Sequence, residues 1–305
     1  EVLDALAVIN RPLDASALEA MGVDDNEETG EAISEMITAG VVCRNHQGRV
    51  NLQPPILAEV ARSALQGKKA KTLHQSAALF LEETEGNTAA VELAYHYGKS
   101  GHKKQQAKYA QLAGLRLKQL YANEDALRFL SIAADHTQGE TQLGVELARA
   151  EIEHLLGRLN EASERTDALL KKKVSAPEKK ARLYLLKGQL AFAEGEAKKA
   201  KKALQEALNA APEATAIKIQ TIAASAELLL EQGETEEALS LAQNGLEQTK
   251  VLPATSPLVA SQQKAHLHQI IALAELALRG PDAAKPHGQK ALALYEEIHD
   301  RHGTV

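Results

Sequence analysis

Eleven histidines and a single cysteine give this 305-residue chain its widest chemical reach, so metal ligation and thiol or imidazole chemistry are weighed first. His266 and His268 stand two apart, which puts their rings on different faces of a helix. His299 and His302 lie near the C-terminal end with no cysteine beside them, and no metal site or cofactor is expected. Cys43, being single, can form neither an internal disulfide nor a cysteine cage, and no His-Asp phrase accompanies it as a nucleophile would need. It reads as a small packing residue. Tyr95, His96 and Tyr97 sit together, and helix packing accounts for them. Gly98-Lys99-Ser100 ends like a phosphate-cradling loop, but the glycine required five residues earlier is Leu93, on a predicted helix. A dinucleotide-type glycine fingerprint after a strand is also missing. No acid/base pair stands out, so no enzyme is expected within these boundaries.

The elements that position these residues are helical by composition. Ala, Leu, Glu, Lys and Gln dominate, aromatics make up 3% with no Trp, and 44% of residues are hydrophobic. A chain of this length exceeds one compact core, so several units or an elongated array are expected. No run of 18 apolar residues and no basic-then-apolar leader occurs, which predicts a soluble, cytoplasmic protein without membrane contact. The chain begins at Glu1 rather than Met, and a fragment of something longer is expected. Net charge is −6, unevenly spread: residues 1–60 carry −8 and the rest +2. Lysines cluster at Lys171-Lys172-Lys173 and at Lys198-Lys199 with Lys201-Lys202. Nearby Glu194, Glu196 and Glu206, and the lack of interleaved aromatics, favour a solvated helix surface over a nucleic-acid patch.

The first sixty-six residues do not repeat. VLDALAVI (2–9) patterns as a helix stopped at Asn10-Arg11-Pro12, Asp14 caps a second helix ending near Gly22, and Ile33, Met36 and Ile37 mark a third ending at Gly40. VVCRNHQGRVNL (41–52) places β-branched residues around Asn45-His46-Gln47-Gly48, a hairpin signature, and Pro54-Pro55 precedes the apolar run Ile56–Leu65. Three helices and a hairpin give the layout of a winged helix. Its third helix would be the DNA reader, yet it carries Glu27, Glu28, Glu31 and Glu35 and no cation, so phosphates would repel it. DNA association through this unit, as a transcriptional regulator, is the alternative reading; packing or protein contact is the preferred one.

Beyond it the chain repeats. With Ala181 as position 1 of the clearest unit (181–214), Tyr184 falls at 4, Gly188 at 8, Ala200 at 20, Leu204 at 24, Ala207 at 27 and Pro212 at 32. Small residues at 8, 20 and 27 let two antiparallel helices approach closely, Gly195 helps turn the chain, and Pro212 ends the second helix. The same frame recurs from Ala107 (Gly114, Ala126, Leu130, Ala133) and from Leu143 (Ala150, Gly157, Ala162, with Thr166 and Leu169 poorer fits). It recurs again from Ile219 (Ala226, Gly233, Ala238, Ala242, Gly245) and from about Ala265 (Ala272, Ala284, Ala291). The excess over 34 residues falls in Lys171–Pro177, Ala214–Lys218 and Val251–Pro257. Leu73–Glu83 and Thr88–Ser100 read as a degenerate bridging hairpin.

This pattern resembles the tetratricopeptide repeat. The order VLDALAVINRPLD, EAISEMITAGVVCRNHQGRV, LHQSAALFLEE, AVELAYHYGKSG and LKQLYANEDALRFLSIA resembles the region that follows the nucleotide-binding module in bacterial STAND-class signalling ATPases. One departure is Gln53-Pro54-Pro55, where that family usually has a His-Asp pair. The resemblance implies an all-α, tetratricopeptide-like α-solenoid, a superhelix of helical hairpins behind a small N-terminal winged-helix-like unit. The expected organisation is a winged-helix-like unit at 1–66, a bridging hairpin at 67–106 and about five repeats at 107–142, 143–180, 181–218, 219–264 and 265–302. It further implies a non-catalytic sensor or scaffold arm of a multidomain signalling protein. In such arrays the first helix of each repeat lines a concave groove through positions 2, 5, 9, 12 and 13. Here those positions bring Lys108, Gln111, Leu115 and Lys118; Glu151 and His154; Arg182, Gln189 and Phe192; Gln220 and Glu227. The Lys-and-Asn arrangement at positions 5 and 9 that clamps a terminal carboxylate is missing. The expected partner is a protein or peptide segment, or another domain of the same polypeptide. Nucleic acid is not expected, and self-assembly through an exposed solenoid end is a further alternative.

Overall fold

The computed structural model describes residues 1–172, 174–213, 215–252 and 257–298. Lys173 of the first lysine cluster, part of two inter-repeat linkers (214 and 253–256), and His299 and His302 lie outside the described residues. Two compact units are formed, Glu1–Ile152 and Glu153–Val305.

The first unit opens with α1 (Val2–Ile9), whose residues Val2, Ala5, Leu6, Ala7, Val8 and Ile9 are all buried. Asn10 ends it in the left-handed conformation at φ 54°, which asparagine tolerates at a helix C-terminus. Side-chain caps start the next two helices. Asp14 accepts from Ala17 N at 3.0 Å ahead of α2 (Ala15–Ala20), and Asn26 accepts from Thr29 N at 2.9 Å ahead of α3 (Glu27–Thr38). β1 (Val42–Arg44) and β2 (Val50–Leu52) pair antiparallel, Val42 opposite Leu52. The turn between them is shaped by the Asn45 side chain, which accepts from Gln47 N and Arg49 N, each at 3.0 Å. Leu13 bridges to Val50, and α4 (Ile56–Ala64) packs on α1. Leu6, Leu13 and Met21 are each about 1% exposed at the centre of this core. A large apolar side chain so buried contributes about 1.5–3 kcal/mol.

Helical hairpins follow. α5 (Gly67–Thr84) pairs with α6 (Ala90–Ser100), α7 (Lys103–Gln119) pairs with α8 (Asn123–Ala134), and α9 (Gly139–Leu155) runs across the boundary between the units. The second unit continues with α10 (Leu159–Leu170), then the hairpins α11 (Pro177–Ala193) with α12 (Ala197–Ala210), α13 (Ala216–Glu231) with α14 (Thr235–Gln248), and α15 (Pro257–Arg279) with α16 (Pro281–Glu297).

Close approach explains the small residues. A Cβ on Gly114 would lie 2.6 Å from Leu130 Cγ, and one on Gly188 would lie 2.8 Å from Leu204 Cγ, so a glycine at position 8 receives the leucine at position 24. In the α13/α14 hairpin the same two positions are Ala226 and Ala242, both fully buried. Thr166, at position 24 of the second frame, is buried because its hydroxyl donates to Ala162 O at 2.7 Å.

Position 15 is the turn. Gly157, Gly195 and Gly233 have φ of 72°, 76° and 77°, and Tyr121 occupies the same place at φ 58°. The following amide closes a six-residue ring in each case, Glu196 N to Ala191 O at 2.8 Å and Ala122 N to Leu117 O at 3.0 Å among them. The last hairpin departs from the frame. α15 is 23 residues long and Gly280 alone separates it from α16, so Ala272 and Ala284 are only half-buried whereas Ala291 is buried.

Candidate functional site

Within the first unit, α7 places Lys108, Gln111, Leu115 and Lys118 at i, i+3, i+7 and i+10, one face of a helix. The opposite face, with Ala107, Tyr109, Ala110, Ala113 and Gly114, is buried. Lys108 and Leu115 are exposed, while Gln111 and Lys118 are half-buried. Lys118 forms an ion pair with Glu151 of α9, so these two predicted residues are brought together and satisfy one another. An open cleft of about 540 Å³ runs beside Lys108 and Gln111.

Behind that face lies a polar network. Glu82 of α5 accepts hydroxyl bonds from Tyr97 of α6 and Tyr109 of α7, whose rings stack with centroids 5.7 Å apart. The Lys108 ammonium sits 4.5 Å from the Tyr109 ring centroid, 3.0 Å from its hydroxyl and 3.5 Å from Glu82 Oε1. The Tyr109 and Tyr97 hydroxyls hold the Glu82 carboxyl below its ordinary range, and burial together with Glu82 pushes both phenols up.

The second unit carries the other predicted residues. Arg182, Gln189 and Phe192 share a face of α11 at i, i+7 and i+10, with Phe192 at its exposed end. Gln220 and Glu227 lie seven apart on α13, and Glu227 is bonded to His266 Nε2 of α15 at 2.6 Å. His154, on the last turn of α9, is half-buried with its Nδ1 unpartnered among the described residues, and burial pushes its pKa down. Next to it Glu153, 4% exposed, is gripped by both arms of Arg165, at 2.8 Å from Nε and 2.7 Å from the terminal nitrogen.

Two histidine pairs were not foreseen. His74 of α5 and His96 of α6 meet Nδ1 to Nδ1 at 2.9 Å, and His268 of α15 meets His287 of α16 in the same way at 2.8 Å. Burial, then the neighbouring imidazole and nearby cations, lowers His96 to about 3 and His268 to about 4. In the sequence, His74 falls on the stripe His74-Ala77-Ala78-Leu81, which marks it for burial though not for a partner.

Other singled-out residues have structural partners. Cys43 is half-buried and its thiol donates to Asn51 Oδ1 at 2.7 Å, Lys199 pairs with Glu196, and Lys201 pairs with Glu234. Glu27, Glu28, Glu31 and Glu35 of α3 are all exposed. Among the described residues no cluster of three or more metal-ligating side chains occurs, and no helix is long and apolar enough to cross a membrane.

No protein-family model and no curated protein sequence matches this chain. Among solved structures it is similar to a Signal Transduction ATPase with Numerous Domains (STAND) protein with a tetratricopeptide repeat sensor from Pyrococcus horikoshii, with a TM-score of 0.59 and 14% identity. That match covers 99% of this chain and 45% of the other, so this chain spans less than half of that protein's length. It is also similar to BtubC from P. vanneervenii, with a TM-score of 0.50 and 16% identity over 71% of this chain and 89% of that one. At such identities the likeness establishes the fold, an all-α, tetratricopeptide-like solenoid of helical hairpins.

Proposed function

We propose that this chain is a non-catalytic protein-binding arm that senses or scaffolds within a multidomain signalling protein. The observation that carries the reading is the outward face of α7. There Lys108 and Gln111 stand beside an open cleft and Leu115 is exposed further along the same face, while the small residues behind them hold the helices together. Arg182, Gln189 and Phe192 give α11 a face of the same make-up, one cation, one amide and one apolar side chain. Such a face suits a protein segment that brings polar complements and an apolar anchor. The sensor role of the repeats in the P. horikoshii protein supports the same reading, in which groove contacts shift an output domain elsewhere in the polypeptide. The partner is then another domain of that polypeptide or a separate protein.

A displayed peptide library selected against the purified chain, with hits measured by fluorescence anisotropy, tests this. Lys108→Glu or Arg182→Glu is expected to weaken selected peptides by roughly three- to tenfold, the range of a single charge contact at a rim. Selected peptides that bind both variants as well as the parent would remove these faces from the function.

A further inference from the structure

The cleft beside α7 is lined by cations and neutral polar groups. It is lined by Lys104, Gln105, Ala107, Lys108 and Gln111 of α7 and by His136, Thr137, Gln138 and Thr141 around the start of α9. No carboxylate lines it in a protein whose net charge is −6. Two helix N-termini converge there. α7 begins at Lys103 with no side-chain cap, and α9 begins at Gly139. First-turn amides lack intrahelical acceptors and carry the positive end of the helix dipole, so both starts add to the field of the two ammonium groups. Lys104 and His136 form no ion pair among the described residues. Lys108 donates to the Tyr109 hydroxyl at 3.0 Å and lies 3.5 Å from Glu82, whose oxygens already accept from Tyr97 and Tyr109, and its side chain is 57% exposed.

We infer that this cleft is an oxyanion-binding subsite that takes the side-chain carboxylates of an acidic protein segment, with Lys104 and Lys108 as the charge partners and Gln105, Gln111 and Gln138 as neutral donors. It differs from a terminal-carboxylate clamp, because His136, Thr137 and Gln138 of its lining come from the connection between α8 and α9 rather than from helix-face positions. The inference rests on the peptide-binding reading of α7 and specifies the charge of what binds there.

The test uses four fluorescein-labelled 12-residue peptides on one Leu/Ala frame, with Glu, Gln, Lys or phosphoserine at the variable positions, titrated with the full chain at 50 and 300 mM KCl. The Glu peptide is expected to bind roughly tenfold more tightly than the Gln peptide at low salt and to lose most of that margin at high salt, as exposed charge contacts do. Lys104→Glu with Lys108→Glu should abolish the margin, while Lys198→Glu with Lys202→Glu, an equal charge change on exposed lysines of α12, should keep it. A margin that survives the first pair of substitutions, or falls equally with the second, overturns the subsite. A phosphoserine peptide binding about tenfold above the Glu peptide overturns the carboxylate assignment. If the Gln peptide binds as well as the Glu peptide and loses affinity on Leu115→Asp, the α7 face keeps its protein-binding role and the subsite falls alone. Absence of binding by all four peptides overturns the subsite, while the library selection decides the wider reading separately.

Discussion

Acidification should loosen this protein through its buried imidazoles, and His96 allows the effect to be worked through. The ring is 4% exposed, bonded to His74 of α5, and within the field of Arg11 and of Arg62 on α4. Lys99 on the same helix and Arg62 act on His74, whose pKa is lowered too, and the Tyr95 ring packs edge-on against both imidazoles. Protonation is therefore opposed from α4, α5 and α6 together. The folded state binds its proton only near pH 3, whereas an unfolded histidine binds one below about 6.5. Because the unfolded chain takes up the proton first, the stability contributed by neutral His96 is complete above pH 6.5 and drains away as pH falls towards 3. Between pH 7.5 and 5.0 the loss works out at about 2 kcal/mol, 1.36 kcal/mol for each unit below 6.5. Urea unfolding followed by circular dichroism at both pH values measures it. His96→Asn is the comparison, since the Asn amide can still bond His74 but does not titrate. The parent should lose about 2 kcal/mol more than the variant over this interval. Equal losses in the two proteins would refute a neutral, desolvated His96.

The other expectations concern packing and the turns. Gly188→Ala should cost about 1–3 kcal/mol in urea unfolding because Leu204 must shift from 2.8 Å, whereas Gly144→Ala, in a helix with nothing within 4 Å, should gain about 0.5–1 kcal/mol. Tyr121→Gly removes a tyrosine at φ 58°, and relief of about 1 kcal/mol, less the added freedom of the unfolded chain, should raise the melting temperature slightly; a marked fall would mean that the Tyr121 side chain contributes more than its backbone costs. Glu153→Gln removes the two-pronged ion pair of a buried carboxylate with Arg165 and should lower stability by about 2 kcal/mol, with the calorimetric transition reporting the loss.

What was legible in the sequence was local. Glycine or alanine at positions 8, 20 and 27 and a glycine at 15 are short-range signals, complete in 181–214 and partial in the other frames. Tyr121 escaped notice because nothing in a tyrosine announces a left-handed backbone; its place in the frame forces the conformation, closed by the bond from Ala122 N to Leu117 O. The last hairpin was harder, since Gly280 turns the chain in a single residue and Ala284, at position 20, is only half-buried, although Ala291 at position 27 is buried.

Partnerships were the part that a frame cannot supply. His74 and His96 are 22 residues apart, His268 and His287 are 19 apart, and Lys118 meets Glu151 across 33, so no spacing rule joins them. The consequence for function is specific. Lys118 and Glu151 were selected as groove residues by their repeat positions, yet each neutralises the other, and Glu227 is likewise engaged with His266. The cleft adds to Lys108 and Gln111 a cation that precedes position 1 of its repeat, Lys104, and the residues His136, Thr137 and Gln138 of a connection between hairpins. A reading confined to helix-face positions passes over such a place. The proposed subsite thus sits where a helix start meets a connecting loop, with Gln111 in its lining and Leu115 further along α7 as an apolar contact.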